Sequence, residues 1–236
     1  MAQVIADAIA DHILEQNLPA GARLANEAQM AEQYGAGRSS VREALRLLEA
    51  EGLVDIRPGL GGGAVVGQPD VNRVARRLTI LLRLSGASFS EVVAARKTIE
   101  PSLARYAAAA ATEEQVAEIR ASVERLAEMS QSNEAFVEEN ARFHSLIADA
   151  SGNAVLTTFW RAISAIVDGH EVGVRYDERA RAAVVAAHRT VAEAVAAREP
   201  AQAAEAMSAH VSAVDKYLEK HYPDLVNKPI RIIAPS

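Results

Sequence analysis

Cysteine is absent from the 236 residues. That excludes disulfides and thiolate metal sites, and it fits a reducing compartment. No apolar run approaches the roughly 20 residues of a membrane span. The opening Met1-Ala2-Gln3-Val4-Ile5-Ala6-Asp7 lacks the basic segment of a secretory signal. The expectation is a soluble cytoplasmic protein with no membrane partner. An excess of positive charge is also missing. The net charge is −6, and residues 1–68 hold five arginines against nine acids, a net of −4. A generally basic nucleic-acid binder is therefore excluded, and any DNA binding has to come from the local placement of arginines. What is present is length enough for two ordinary domains and a composition that is half hydrophobic, enough to bury real cores.

The first seventy residues read as three helices and a hairpin. Val4, Ile5, Ala8, Ile9, Ile13 and Leu14 recur at helical spacing, and Pro19 and Gly21 end that helix near Asn17. Arg23-Leu24 reads as a short extended piece. Asn26 caps a second helix, with Gln29 completing a capping box. Gly35-Ala36-Gly37 breaks the chain, and a third helix runs to Gly52. Leu53 to Arg57 and Gly63 to Val66 are short strands around Pro58-Gly59-Leu60-Gly61-Gly62, a turn no regular element tolerates. Helix, helix, tight turn, helix and hairpin make a winged helix-turn-helix. The alternative is a plain hairpin closing a small core.

The third helix has two faces. Val41, Ala44, Leu45 and Leu48 form one apolar stripe, while Arg38, Arg42 and Arg46 stack at i, i+4 and i+8 on another. Arginine forks onto guanine edges or phosphates, so the pattern suits a DNA groove. A solvated amphipathic helix is the bland alternative.

Gln68-Pro69-Asp70 is a linker. Beyond it strand signals are absent, and a period near 3.6 gives seven helices at about 71–85, 88–110, 112–131, 134–150, 153–174, 177–198 and 200–221. Thr112 caps the third of these with a capping box. Residues 223–236 read as an irregular tail, with Arg231-Ile232-Ile233 a segment able to dock somewhere on the protein. The segment 71–85, with Arg73, Arg76, Arg77 and Arg83, is either a transmitter between domains or a solvated connector. Asn140 and His144 share a helical face at i, i+4. His188 and His210 lie on later helices among small apolar residues, so each can face a bundle interior. Three imidazoles and one oxygen suit a divalent metal and leave room for water or a carboxylate. Sequence leaves open whether they meet. Arg96 and Glu100 are also i, i+4. They are either an exposed pair worth a few tenths of a kcal/mol or an arginine turned inward toward an organic carboxylate.

These motifs together resemble the GntR family of transcriptional regulators, FadR subfamily, with a C-terminal FCD ligand-binding domain. The resemblance covers residues 3–222. It rests on Arg38-x-x-Val41-Arg42-Glu43-Ala44-Leu45 followed by Leu48-Glu49-x-x-Gly52-Leu53, and on Arg96-x-x-x-Glu100, Phe143-His144, Ser151-Gly152-Asn153 and the two late histidines. It implies a mostly α protein: a winged helix-turn-helix at 1–68, a linker and connecting helix at 69–87, an all-α bundle at 88–222 and the tail. It implies DNA contacts from Arg38, Ser39, Ser40, Arg42 and Arg46, with a wing tip at Gly61 and Gly62. It implies a metal on Asn140, His144, His188 and His210, zinc first, with nickel or manganese as alternatives. It implies an organic-acid effector on Arg96. Three residues depart from the pattern. Asn140 replaces the commoner aspartate, Gly37 stands where a hydroxyl residue usually caps, and Ala28 stands where a basic residue is frequent.

The expected function is that of a homodimeric, non-enzymatic regulator, a repressor, on a near-palindromic operator. The rival is a helical metalloenzyme that uses the three histidines for hydrolysis. No acid or base near the motif supports that rival, because Glu139 should point about 100° from Asn140.

Overall fold

The computed structural model describes residues 1–59, 62–68, 70–129, 132–170, 173–226 and 229–230, with backbone only at 169 and 170. The chain divides into two compact units, Met1–Arg73 and Val74–Ser236.

The first unit contains α1 (Ala2–Glu15), α2 (Glu27–Gln33), α3 (Arg38–Glu51) and an antiparallel hairpin of β1 (Val54–Arg57) and β2 (Gly63–Val66). Helix α2 starts on the expected capping box: the Asn26 side chain accepts from the Gln29 backbone, and the Gln29 side chain accepts from the Asn26 backbone, each at 3.0 Å. Helix α3 starts on Gly37 with no side-chain cap and ends on Gly52 in the left-handed conformation. Its apolar stripe is fully buried against Ile5, Ile9 and Ile13 of α1 and Met30 of α2. Each such Val or Leu contributes about 1.5–3 kcal/mol by leaving water, which fixes α3 and leaves its arginine face outside. Residues 22–24 pair with β2, with Val66 N–H donating to Ala22 and Leu24 N–H to Ala64, so the wing has a third edge. The wing turn admits only glycine at position 62, where a Cβ would lie 2.2 Å from the Arg57 carbonyl oxygen.

Helix α4 (Val71–Leu84) leaves the linker. Arg73 in its first turn donates to the Glu49 carbonyl at the end of α3, 2.8 Å away, and packs over Gly52. In the second unit, α5 (Phe89–Ala110) is the central helix, packed on α7 (Asn133–Ala150), α8 (Ala154–His170), α9 (Glu178–Ala196) and α10 (Pro200–His221). Helix α6 (Glu113–Glu128) covers α7 and α9. Capping boxes start α5 at Ser88 and α6 at Thr112. Ala104, Ala107 and Ala108 are buried, and their small size lets neighbouring helices close on α5 beside Phe143, Val191 and Met207.

Two boundaries differ from the sequence expectation. The eighth helix stops at His170, and 173–177 form a strap of irregular backbone on which Gly173 takes φ 95. The tail is not wholly irregular: α11 (Pro223–Val226) is one helical turn, Pro229 bridges to Ser88, and Ile230 is buried. Arg231-Ile232-Ile233 and Gly61 lie outside the described residues. No described helix is long and apolar enough to cross a membrane.

Candidate functional sites: an arginine helix and a three-histidine centre

On α3 the side chains of Arg38, Ser39, Arg42 and Arg46 are exposed and Ser40 is half-buried. Arg42 is held by a residue the sequence reading gave no partner role. Its Nε and Nη2 fork onto the Glu27 carboxylate of α2 at 3.1 and 2.8 Å. That hydrogen bond holds the Glu27 carboxyl below its usual range, against the opposing effect of burial. The fork uses two of the five guanidinium donors, so Arg42 is aimed while retaining donors for another acceptor. Arg46 stands 3.8 Å from Glu43, and Gly62 sits in the exposed wing turn.

In the bundle, the three histidines meet. His144 comes from α7, His188 from α9 and His210 from α10, and all three are buried. Their Nε2 atoms converge, 3.1 Å between His188 and His210 and 3.2 Å between His210 and His144. Phe143 stacks on His188 with ring centroids 3.8 Å apart and holds that ring flat. Burial, then the charge of His144, pushes His210 down to about 3. Burial, then His210, pushes His188 well below its usual value. Three buried imidazoles whose Nε2 atoms converge are a donor set that a divalent metal satisfies, and the His188 Nδ1 has no hydrogen-bond partner. The residues therefore fit a metal ion.

A cavity of about 520 Å³ reaches His144 and His210. Asn140, one turn before His144, lines it, as do Arg96, Asp168 and Asp215. Asp168 opens into this space yet is hemmed in by protein, and burial pushes its carboxyl up, offset by Arg96 and His144. The strap closes one side. Asn133 of α7 donates to the Val174 carbonyl and accepts from Tyr176 N–H, and the Tyr222 hydroxyl accepts from Arg175 N–H and donates to its carbonyl.

Arg96 and Glu100 are not the exposed pair of the blander reading. Their side chains are 13% and 2% exposed, and Arg96 Nε donates to Glu100 Oε1. Trp160 Nε1 donates to the same oxygen at 3.1 Å. The other oxygen, Oε2, stands 2.8 Å from His144 Nδ1, off the line of a good hydrogen bond, and neither atom has another such partner. Burial disfavours a charged Glu100, but Arg96 and then His144 outweigh it and hold the carboxyl far below its usual range. Glu139 accepts from Ser122 and Arg125 and takes no part in this group.

A winged helix with an arginine face, followed by a helical unit with a histidine cluster at a cavity wall, defines a DNA-binding regulator with a ligand-sensing domain. Comparison with known proteins identifies it further. Residues 1–65 match the bacterial regulatory proteins of the gntR family, and residues 91–213 match the FCD domain. The chain belongs to the GntR family and carries an FCD domain, consistent with the FadR subfamily. It is 31% identical over 231 residues to the putative L-lactate dehydrogenase operon regulatory protein of Escherichia coli, covering 93% of this chain and 87% of that one. It is 26% identical over 221 residues to the HTH-type transcriptional repressor NanR of Salmonella newport, covering 91% and 84%. Its fold matches a solved GntR protein of Streptococcus agalactiae with TM-score 0.70 at 24% identity, covering 92% of this chain and all of that one. The protein is a DNA-binding transcriptional regulator and not an enzyme, which overturns the metalloenzyme rival.

Proposed function

We propose that the chain is a cytoplasmic repressor, active as a homodimer on a near-palindromic operator, whose grip on DNA is set by a metal ion and a small organic acid in the helical unit. The observation that carries this reading is the meeting of three Nε2 atoms at the wall of a cavity that Arg96 also lines. When bound, a divalent ion on His144, His188 and His210, zinc first and nickel or manganese next, supplies a positive pole for one carboxylate oxygen. Asn140 is the oxygen donor of that set; being neutral, it adds no charge. Arg96 is a second pole for the carboxylate, and Asp168 accepts from a ligand hydroxyl. This donor arrangement suits a short hydroxy acid. A relative named for an L-lactate dehydrogenase operon supports that class, and one named as a repressor supports the sign.

Each protomer places Arg38, Ser39, Ser40, Arg42 and Arg46 at one half-site, with Gly61 and Gly62 at the wing tip. Arginines dominate base contact and serines and glycine amides position the backbone. Exposed Val74, Leu81 and Leu84 on α4, with Val155 and Phe159 on α8, support self-association.

The test is fluorescence anisotropy of labelled DNA from the chain's own promoter, with L-lactate and a panel of hydroxy and sugar acids, before and after metal chelation. One acid should release the DNA, and chelation should abolish that release. If no acid shifts either operator affinity or melting temperature, the effector reading fails.

A further inference from the structure

The sequence marked Arg96-x-x-x-Glu100 as an arginine with a neighbour, and the effector reading uses only the arginine. The buried carboxylate has work of its own. Glu100 sits among three donors from three helices. Oε1 takes Arg96 Nε from its own helix and Trp160 Nε1 from α8, while Oε2 faces His144 Nδ1 of α7 at 2.8 Å. An ionised carboxylate can only accept. With a guanidinium and an indole N–H donating to Oε1, Oε2 is the free acceptor facing Nδ1 at 2.8 Å, and a small turn of the ring brings an Nδ1–H onto it. A neutral imidazole protonated at Nδ1 carries its lone pair on Nε2, the atom that stands 3.2 Å from His210 Nε2. Nδ1 of His188 is likewise buried without a hydrogen bond, but among the described residues no carboxylate stands against it as Glu100 does against His144.

We propose that Glu100 is a positioning residue for the metal centre: its carboxylate fixes His144 in the Nδ1–H form, turning Nε2 toward the site, and on its other oxygen holds Arg96 at the cavity beside it. One buried carboxylate thus orients a metal ligand and the effector arginine together. It also supplies, one bond behind the ligands, the negative charge that Asn140 does not bring to them. A carboxylate behind a ligating histidine raises the basicity of the metal-facing nitrogen and locks the ring. Trp160, the chain's single tryptophan, shares the carboxylate and reports on it: a charge drawn through His144 toward the metal weakens what Oε1 offers the indole.

The inference rests on the metal reading, and its test separates the two. The first arm uses metal-stripped wild-type protein with 15N-labelled histidine and two-bond proton–nitrogen correlations, His144 being assigned by its loss in His144→Gln. The Nδ1–H form is expected; an Nε2–H form overturns the proposal and needs no folded variant at position 100. The second arm measures zinc and cobalt affinity by chelator competition in wild type, Glu100→Gln and Glu139→Gln. The last is a matched control, a buried carboxylate paired with an arginine that does not face the histidines. Glu100→Gln should weaken both metals by about 10- to 100-fold and change the cobalt absorption bands, while Glu139→Gln should not. Cobalt binding to wild type should shift Trp160 fluorescence, and Glu100→Gln should blunt that shift. Equal cobalt affinity in wild type and a folded Glu100→Gln overturns the proposal. Wild type that binds neither metal overturns the metal reading, and the inference falls with it, whatever tautomer the first arm finds.

Discussion

The two units each build their functional surface around an arginine–glutamate pair, and the pairs are opposites. Arg42 and Glu27 meet across two helices with side chains 56% and 37% exposed. Arg96 and Glu100 meet within one helix at 13% and 2%. The first pair sits in water, where such contacts are worth about 0.2–1 kcal/mol and weaken with salt. Its partners are exchangeable, which is what an arginine needs if it is to leave a carboxylate for a phosphate or a guanine edge. The second pair is out of water and shares its carboxylate with a histidine and an indole. Breaking such a pair leaves a buried charge alone, at about 3–5 kcal/mol. Identical side-chain chemistry thus makes a contact that can be traded on the exposed face of α3 and a fixed frame inside the helical unit.

The largest effect should come from breaking the buried pair. Arg96→Ala leaves Glu100 without its main counter-charge, so chemical denaturation should show a loss of about 3–5 kcal/mol. The effector should then no longer release DNA from whatever protein stays folded. A loss below about 1 kcal/mol would place this pair with the exposed one.

Next is a pH effect confined to the sensor half. His188 and His210 have folded values below 6.5, with His210 near 3. The unfolded chain therefore binds more protons below 6.5, and stability is lost as pH falls from there toward 3. Glu100 acts in the same direction below its ordinary range, and Asp168 acts in the opposite direction above its own. Metal-free protein should melt progressively lower between pH 6.5 and pH 4, with probes in the second unit responding first; a flat profile would contradict the buried, neutral histidines.

The smallest effect on folding should be at the exposed pair. Arg42→Ala should change stability by no more than about 1 kcal/mol yet weaken specific operator binding by about 1–3 kcal/mol. Unchanged operator affinity in that variant would remove α3 from the recognition role.

Much of this was legible in the sequence because local chemistry dictates it. The capping boxes at Asn26 and Thr112 depend only on residues three apart, and the α3 stripe on residues three and four apart. The histidines were readable as candidates because each sits among small apolar neighbours on a helix that has one inward face. Glu100 was not readable, because an i, i+4 arginine–glutamate pair looks alike on an exposed helix and on a central one. Only packing on four neighbouring helices puts α5 out of water, and that is a property of the whole bundle. The Glu27–Arg42 fork spans fifteen residues and a tight turn, so no periodicity reports it. Helix α8 was expected to reach about 174. The helix is instead described only as far as His170, and the polar groups of the strap at 173–177 are satisfied by Asn133, Tyr217 and Tyr222 from distant parts of the chain.

That strap has a kinetic meaning. Arg175 and Tyr176 line the cavity, and their backbone groups are tied down at both ends, with Tyr217 and Tyr222 on Arg175 and with Asn133 and Arg181 on Tyr176. Any passage for a ligand along this side requires those bonds to open together, a slower event than diffusion into an open cleft. Residence time on this regulator would then be set by tyrosines near the chain's end as much as by the residues that touch the acid. If the protein is the acid-released repressor proposed above, a cell would experience that as memory: a gene once released would stay so for as long as the strap stays shut.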